Sequence, residues 1–431
     1  MPSFSILDIL FSASFFGFVL LLFFAWKRES WNNTLSYILI FFAFVFIQST
    51  LIILPEALFK IPPDSIAYFQ RSKEISQSYF DWYVIQSNFK PGLHNVGFNA
   101  YILMESVLVF VFLPSYQFLF IFNIFLTSLA IFYSARICRL LWGYGYLKYV
   151  LLCFLVYFSL YWRVLHNLRE APLLFFMILS IYNYILWWKY AKNNKLILCI
   201  IFGVSSVIFR PENALLFMAI LILTLIFKTQ KINKKIVVFS ILLPPLILVT
   251  IDIAFKLGNS DPLSLINTAR SIRIEGTGGY QLTDVTVSSY WELILDIPNT
   301  LRFFLMPIYP WEVKTGLIYF KAYVHSLSCF VLLVFGTIGI KRTFFNNKNK
   351  QLKKKLSILL TGFVFMSMLY SLADIGAGSS ARHSTFFYFF FLSVFSPIGA
   401  KILINKILCI KNNRFFPRFS VQNNSLVINK I

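Results

Sequence analysis

The chain has 431 residues, of which 58% are hydrophobic and only 13% charged, and its mean hydropathy is +0.73. A soluble domain carries about a quarter charged residues, so an ordinary cytoplasmic enzyme is excluded, and so is disorder, which needs low hydrophobicity. The formal net charge of +22 would point a soluble chain toward nucleic acid. In a chain this apolar it marks instead a membrane protein whose basic loops stay in the cytoplasm, with the lipid bilayer and not nucleic acid as partner.

Apolar runs near the ~20 residues that a spanning helix needs predict an all-α, polytopic bundle of eleven crossings. In chain order they lie near 6–26, 33–54, 117–135, 147–162, 171–188, 196–209, 213–227, 236–255, 318–340, 356–372 and 385–407. The first has no basic start and no small-residue cleavage site, so it reads as a span and not a signal peptide. The whole chain, 1–431, forms one membrane domain.

Most of the 39 Lys and Arg fall in one set of connections: Lys27–Arg28, Arg136 to Lys148, Lys189 to Lys195, Lys228 to Lys235, Lys341 to Lys355 and the tail after Lys401. This bias predicts that set to be cytoplasmic, with the N-terminus outside and the C-terminus inside. Among the carboxylates only Glu29 falls on that side, and nearly all the others, from Glu56 to Asp374, fall on or near the outer side. A protein that gathers its carboxylates at one face is expected to work there.

Two apolar stretches are ambiguous. Residues 99–113 are short, contain Glu105 and stop at Pro114, which predicts a re-entrant or interfacial piece. Residues 298–310 carry Pro298, Pro307 and Pro310, which should break a helix. Two outer segments are long. The first, 55–98, should hold an amphipathic helix from Asp64 to Phe80; the second, 256–317, is polar and Arg-bearing. The tail, 411–431, is basic and Asn-rich and should fray.

The five cysteines (Cys138, Cys153, Cys199, Cys329, Cys409) form no CxxC pair, so neither a disulfide framework nor a zinc site is indicated. The 51 phenylalanines go with abundant Asn, Lys and Ile, the bias of an AT-rich bacterial gene. There is no Walker motif, no GxGxxG after a strand and no HExxH. "EGTGGY" around Gly276, Gly278 and Gly279 reads as a turn. With no cytoplasmic domain to hold a nucleotide, any chemistry must use a substrate reached from the outer face or the bilayer.

Four outer clusters could supply that chemistry. In "PPDSIAYFQRSKEI", Asp64 follows two prolines and stands either as a helix cap or as a carboxylate held at the surface as general base or metal ligand. In "HNLREAPLL", Arg169 and Glu170 precede an apolar run; snorkelling and the helix dipole are the structural alternative. In "VIFRPENALL", Arg210 ends one span, Pro211 opens the next and Glu212 follows. In "GAGSSARHSTFFYFF", Arg382 and His383 sit near a helix start, where cations oppose the dipole and an anion would restore the balance. Arginine binds phosphate through a fixed fork of donors. Carboxylates to activate a hydroxyl, with arginines to bind a phosphate leaving group, suit transfer from a lipid phosphate.

These residues carry a resemblance. The first-loop aspartate in "DSIAY", the "LREA" and "RPEN" turns, "SARHS" and "PIYPWE" look like the integral-membrane GT-C glycosyltransferases. The resemblance implies sugar transfer from a polyprenyl-phosphate or polyprenyl-diphosphate donor to a glycan acceptor on the outer face. It implies Asp64 as the catalytic carboxylate, with Glu170 and Glu212 as the next candidates. Arg210 and Arg382, with Arg169 and His383, would bind the donor phosphate. It implies no certain cofactor: a single Asp64 with Ser65 stands where the family has paired acidic residues, so a divalent metal stays an open alternative. The chain also resembles bacterial Wzy-type O-antigen and capsule repeat-unit polymerases, Phe- and Ile-rich proteins with large Arg-bearing outer loops. In that reading Arg270 and Arg273 join the substrate-binding set. Both resemblances imply a multi-pass protein of the bacterial inner membrane with a periplasmic active site. The alternative is a lipid-linked-sugar flippase or another transporter, which would place charges near the bilayer midplane and break its helices there.

Overall fold

The structure is a computed structural model that describes residues 5–53, 63–90, 95–157, 160, 168–210, 213–228, 262–275, 286–306, 320–346, 349–373 and 383–415. Every regular element among them is helical. In chain order these are α1 (Ile6–Trp26), α2 (Trp31–Ile53), α3 (Pro63–Gln77), α4 (Trp82–Asn88), α5 (Val96–Val111), α6 (Tyr116–Trp142), α7 (Leu147–Val156) and α8 (Glu170–Tyr190). They continue with α9 (Asn193–Phe209), α10 (Asn213–Lys228), α11 (Pro262–Glu275), α12 (Tyr290–Leu305), α13 (Phe320–Lys341), α14 (Lys350–Ala373), α15 (Thr385–Val394) and α16 (Ser396–Phe415).

Among the described residues six helices are long and apolar enough to cross a membrane: α1, α2, α6, α8, α13 (with the turn that follows it) and α14. The bent pair α15–α16 makes a seventh if it counts as one span. The chain is thus a helical membrane bundle. Of the eleven expected crossings, 147–162, 196–209 and 213–227 coincide with α7, α9 and α10, whose 10, 17 and 16 residues make them shorter than those six. The run 236–255 lies outside the described residues. Lipid offers no hydrogen bonds, so helices that satisfy their own backbone groups are what such a chain must form.

The long helix α6 is the axis. It packs against α1, α2, α7, α8 and α15 and buries residues along its whole length, from Tyr116 to Cys138. By contrast α1 and α2 turn Leu7, Phe18 and Phe46 outward, and Trp26 and Trp31 flank the turn between them, as lipid-facing and interfacial residues do. Helices in lipid associate mainly by close packing. At α13 and α16 this is reciprocal: a Cβ on Gly339 would fall 2.1 Å from the Phe395 carbonyl, and one on Gly399 would fall 2.0 Å from that of Phe335.

Three stretches depart from the sequence expectations. The run 385–407 is not one straight span: α15 and α16 meet at a 57° bend. Pro397, in the first turn of α16, has no N–H for the Ser393 carbonyl and its ring would crowd that carbonyl, so the helix restarts. Pro298 does not break its segment but lies inside α12, which runs on to Leu305. The basic tail stays helical as far as Phe415. The first outer segment does hold the expected helix, α3, and it ends before a turn where Tyr79 and Phe80 adopt positive φ.

The basic connections collect at one end. Glu29, in the α1–α2 turn, accepts from Arg136 at 2.5 Å and faces Arg139 at 3.6 Å. Burial, followed by the charges of Arg136 and Lys195, lowers the Lys27 pKa. Lys355 of α14 donates to the Trp188 carbonyl near the end of α8 at 3.1 Å. The turn before α2 and the end of α6 therefore share a face, which requires an even number of crossings between them: α2 and α6 suffice, and α5 is not a third.

Candidate functional site

Helix α8 starts at Glu170 and α9 ends at Phe209, so both of these termini lie away from the basic end. The local sequence dictates the geometry. Pro211 disfavours helix at the residue before it, and Arg210 is accordingly extended, with φ −151° and ψ 93°. Its side chain leaves the helix path and meets Glu170, whose own helix tolerates Pro172 because the first turn has unused N–H groups. Arg210 Nη2 donates to Glu170 Oε1 at 3.0 Å, and each side chain is 3% exposed. A pair this deep is held by mutual need: removing one partner leaves an uncompensated buried charge.

Tyr370 of α14 joins this pair to the rest of the site. Its ring lies 5.8 Å from the Arg210 guanidinium carbon, its hydroxyl donates to Asn213 Oδ1 at 3.3 Å, and its ring centroid is 5.4 Å from that of His383. His383 is buried just ahead of α15. Two of the four sequence clusters thus meet directly, and the fourth reaches them through Tyr370. Arg382, next to His383, and Glu212, beside Asn213, lie outside the described residues.

Arg169 lies beside the start of α5. A Cβ on Gly97 would fall 3.0 Å from its Nη1 and 2.0 Å from the Phe209 carbonyl, so only glycine lets α5 dock against the end of α9. Helix α5 carries a second polar cluster, which sequence reasoning missed apart from Glu105. Ser72 donates to the buried Glu105 Oε2 at 3.0 Å, and Asn123 donates to the Tyr101 hydroxyl at 2.8 Å and to the Leu168 carbonyl at 3.3 Å.

Asp64 is exposed in the first turn of α3, inside the helix and not at its cap. Pro63 takes the first position, where its missing N–H costs nothing. The neighbouring Ser65 is buried, 2.7 Å from the Tyr116 hydroxyl. Helix α3 packs on α5, and α5 abuts Arg169 and the end of α9, so Asp64 stands two packing steps from Arg210.

The second outer segment closes on the same end. Arg270 of α11 donates through Nε to the Leu372 carbonyl at 2.7 Å and through Nη2 to Asp296 of α12 at 3.2 Å. It is therefore bound to the fold, where the sequence suggested a substrate ligand, and its partner Asp296 had not been singled out. Arg273 shares α11, but its side chain lies outside the described residues. At the start of α12, Ser289 caps Glu292 N–H, and Glu292 accepts from the backbone and hydroxyl of Ser288 at 2.7 Å. These bonds hold the Glu292 pKa below the usual carboxylate range. Among the described residues no three His, Cys, Asp or Glu side chains group as a metal site would.

Chemically, the end offers a buried guanidinium with donors beyond the one given to Glu170, an imidazole, two phenols and an exposed carboxylate on an adjoining helix. No signal in one sequence marks Tyr370 or Asn213, because each is ordinary until the helices meet. No family model, curated protein or solved structure matches this chain.

Proposed function

We propose that the chain is a membrane glycosyltransferase. It moves a sugar or oligosaccharide from a polyprenyl-phosphate or polyprenyl-diphosphate donor to a sugar hydroxyl, in assembly of an O-antigen or capsule type of surface polysaccharide. The protein would sit in the bacterial inner membrane with the basic end in the cytoplasm and the Arg210 end facing the periplasm. The observation that carries this reading is the convergence of Glu170, Arg210, Tyr370 and His383, from separate parts of the chain, on the end away from the basic loops. Ionisable residues at membrane depth commonly mark substrate paths.

In this mechanism Arg210, held by Glu170, binds the donor phosphate, and Arg169 and Arg382 are the further candidates for that role. Negative charge grows on that phosphate as the glycosidic bond breaks, so donors placed there act most strongly in the transition state. Asp64 takes the proton of the attacking hydroxyl, a step worth about 10²–10⁴-fold.

The bend between α15 and α16 favours the second reading, a lipid-linked-sugar transporter, since transporters use broken helices. Here Pro397 accounts for the bend, and α15 is buried in phenylalanine with no charge at the break. Asp64→Asn separates the readings. Transfer chemistry predicts normal protein level on an immunoblot, loss of surface polymer and accumulation of lipid-linked precursor on the outer side. Full-length polymer from this variant would remove Asp64 from the mechanism.

A further inference from the structure

The basic end holds a feature that the transfer reaction does not use. A cavity of about 430 Å³ opens where α8, α9, α10 and α14 meet, lined by Trp187, Trp188, Asn193, Thr224, Gln351 and Lys354 among others. A second cavity of about 210 Å³ shares Gln351 and runs along Leu140, Leu141 and Ile185, with Lys189 and Lys355 at its polar side. Among the described lining residues of both there is no carboxylate.

The polar lining is rich in donors. Lys354 brings an ammonium, and Gln351 and Asn193 bring amide N–H groups. The indole Nε1 of Trp188 is a donor only; it is covered, with no acceptor among the described residues, so a small turn of the ring would be needed to bring it to a ligand in the cavity. Its backbone carbonyl is already taken by Lys355. Helices α9 and α14 both begin here, at Asn193 and Lys350, and helix starts carry unpaired N–H groups and positive potential. Lys192, at the α9 cap position, makes no side-chain cap bond.

We infer that this cavity binds a phosphate group, and the surroundings favour one carried on an anionic phospholipid. A phosphodiester is compact, anionic and accepts hydrogen bonds without donating, which suits the Lys354 ammonium and the amide N–H groups of Gln351 and Asn193. Basic pockets between helices at the cytoplasmic side suit lipid head groups. The neighbouring apolar wall of Leu140, Leu141 and Ile185 gives an acyl chain a place to lie, and paired indoles sit well at a membrane interface. The inference does not depend on the proposed glycosyl transfer, since none of these residues belongs to the Arg210 end.

The test is native mass spectrometry of the detergent-purified full chain with dioleoyl phosphatidylglycerol, with dioleoyl phosphatidylcholine and with inorganic phosphate as competitor. Trp188→Phe keeps the ring and removes the donor; Lys354→Gln removes the charge. Hydrogen bonds to a charged group imply roughly tenfold weaker phosphatidylglycerol binding for each variant. Retention of phosphatidylglycerol but not phosphatidylcholine, weakened by both variants and resistant to phosphate, supports the lipid source. Displacement by millimolar phosphate with the same variant dependence supports the site but assigns it to a soluble phosphate. Equal retention of phosphatidylcholine, or variants that bind like the wild type while melting at the same temperature, would overturn the inference.

Discussion

The two ends of the bundle handle charge in opposite ways. At the basic end one carboxylate, Glu29, itself 4% exposed, serves two arginines, and it is the arginines that are partly exposed, Arg136 at 16% and Arg139 at 31%. Water and head groups can share in solvating such a cluster. At the other end Glu170 and Arg210 are both 3% exposed and lean on each other among aromatic rings. Surface pairs add little stability, whereas a buried pair is costly to build and costlier to break. That contrast is the ground on which the Arg210 end is proposed as the working end.

The largest expected effect breaks that contrast directly. Glu170→Gln leaves Arg210 buried without its counter-charge and should cost about 3–5 kcal/mol, seen as a large fall in melting temperature and in membrane level. Glu170→Leu combined with Arg210→Met should recover much of that stability, because apolar replacement of a buried pair is often neutral, yet show no polymer. Recovery of both stability and polymer would make the pair merely structural.

Next comes Gly97→Ala. The added methyl would collide with the Phe209 carbonyl and crowd Arg169, so α5 must shift, at about 1–3 kcal/mol. Limited proteolysis between α4 and α5 should accelerate. An unchanged digestion pattern would show that α5 does not need this close approach.

At the basic end Glu29→Gln should cost less, about 1 kcal/mol, and leave the polymer intact, since the partly exposed arginines can turn to water. A loss of polymer with normal protein level would link the two ends functionally.

The smallest effect concerns α12. Glu292 has a depressed pKa, so the stability it lends the helix start is present above the ordinary carboxylate value and fades as pH falls through its lowered one. Hydrogen exchange at Ser288 to Glu292 should quicken only in strong acid, and Glu292→Gln should flatten that dependence. A rise beginning near neutral pH would contradict the sign.

Much of the architecture was legible because hydropathy is a local property. The apolar runs at 6–26, 117–135 and 171–188 coincide with α1, α6 and α8, and the polar segment after Pro63 became α3. The same reasoning failed at 385–407, where one proline outweighs a continuous apolar run, and at Pro298, which a helix absorbed. The site was half legible. "REA" and "RPE" stood out as charges among apolar neighbours, and the Pro211 rule explains why Arg210 swings out. Their mutual pairing did not show, because 40 residues separate them, and Tyr370 gave no signal before α14 met α10. Arg270 looked like a ligand for the same reason: its partners, Asp296 and the Leu372 carbonyl, come from distant helices.

The most direct test of the central claim is Arg210→Lys in a deletion strain, read by immunoblot beside a surface-polysaccharide gel and an assay of lipid-linked precursor. Lysine keeps the positive charge for Glu170 but has no planar fork to spread over a phosphate. The account predicts near-normal protein level, polymer lost or severely shortened, and precursor accumulating. Full-length polymer at wild-type abundance would contradict it, and would reduce Arg210 to the counter-charge of Glu170.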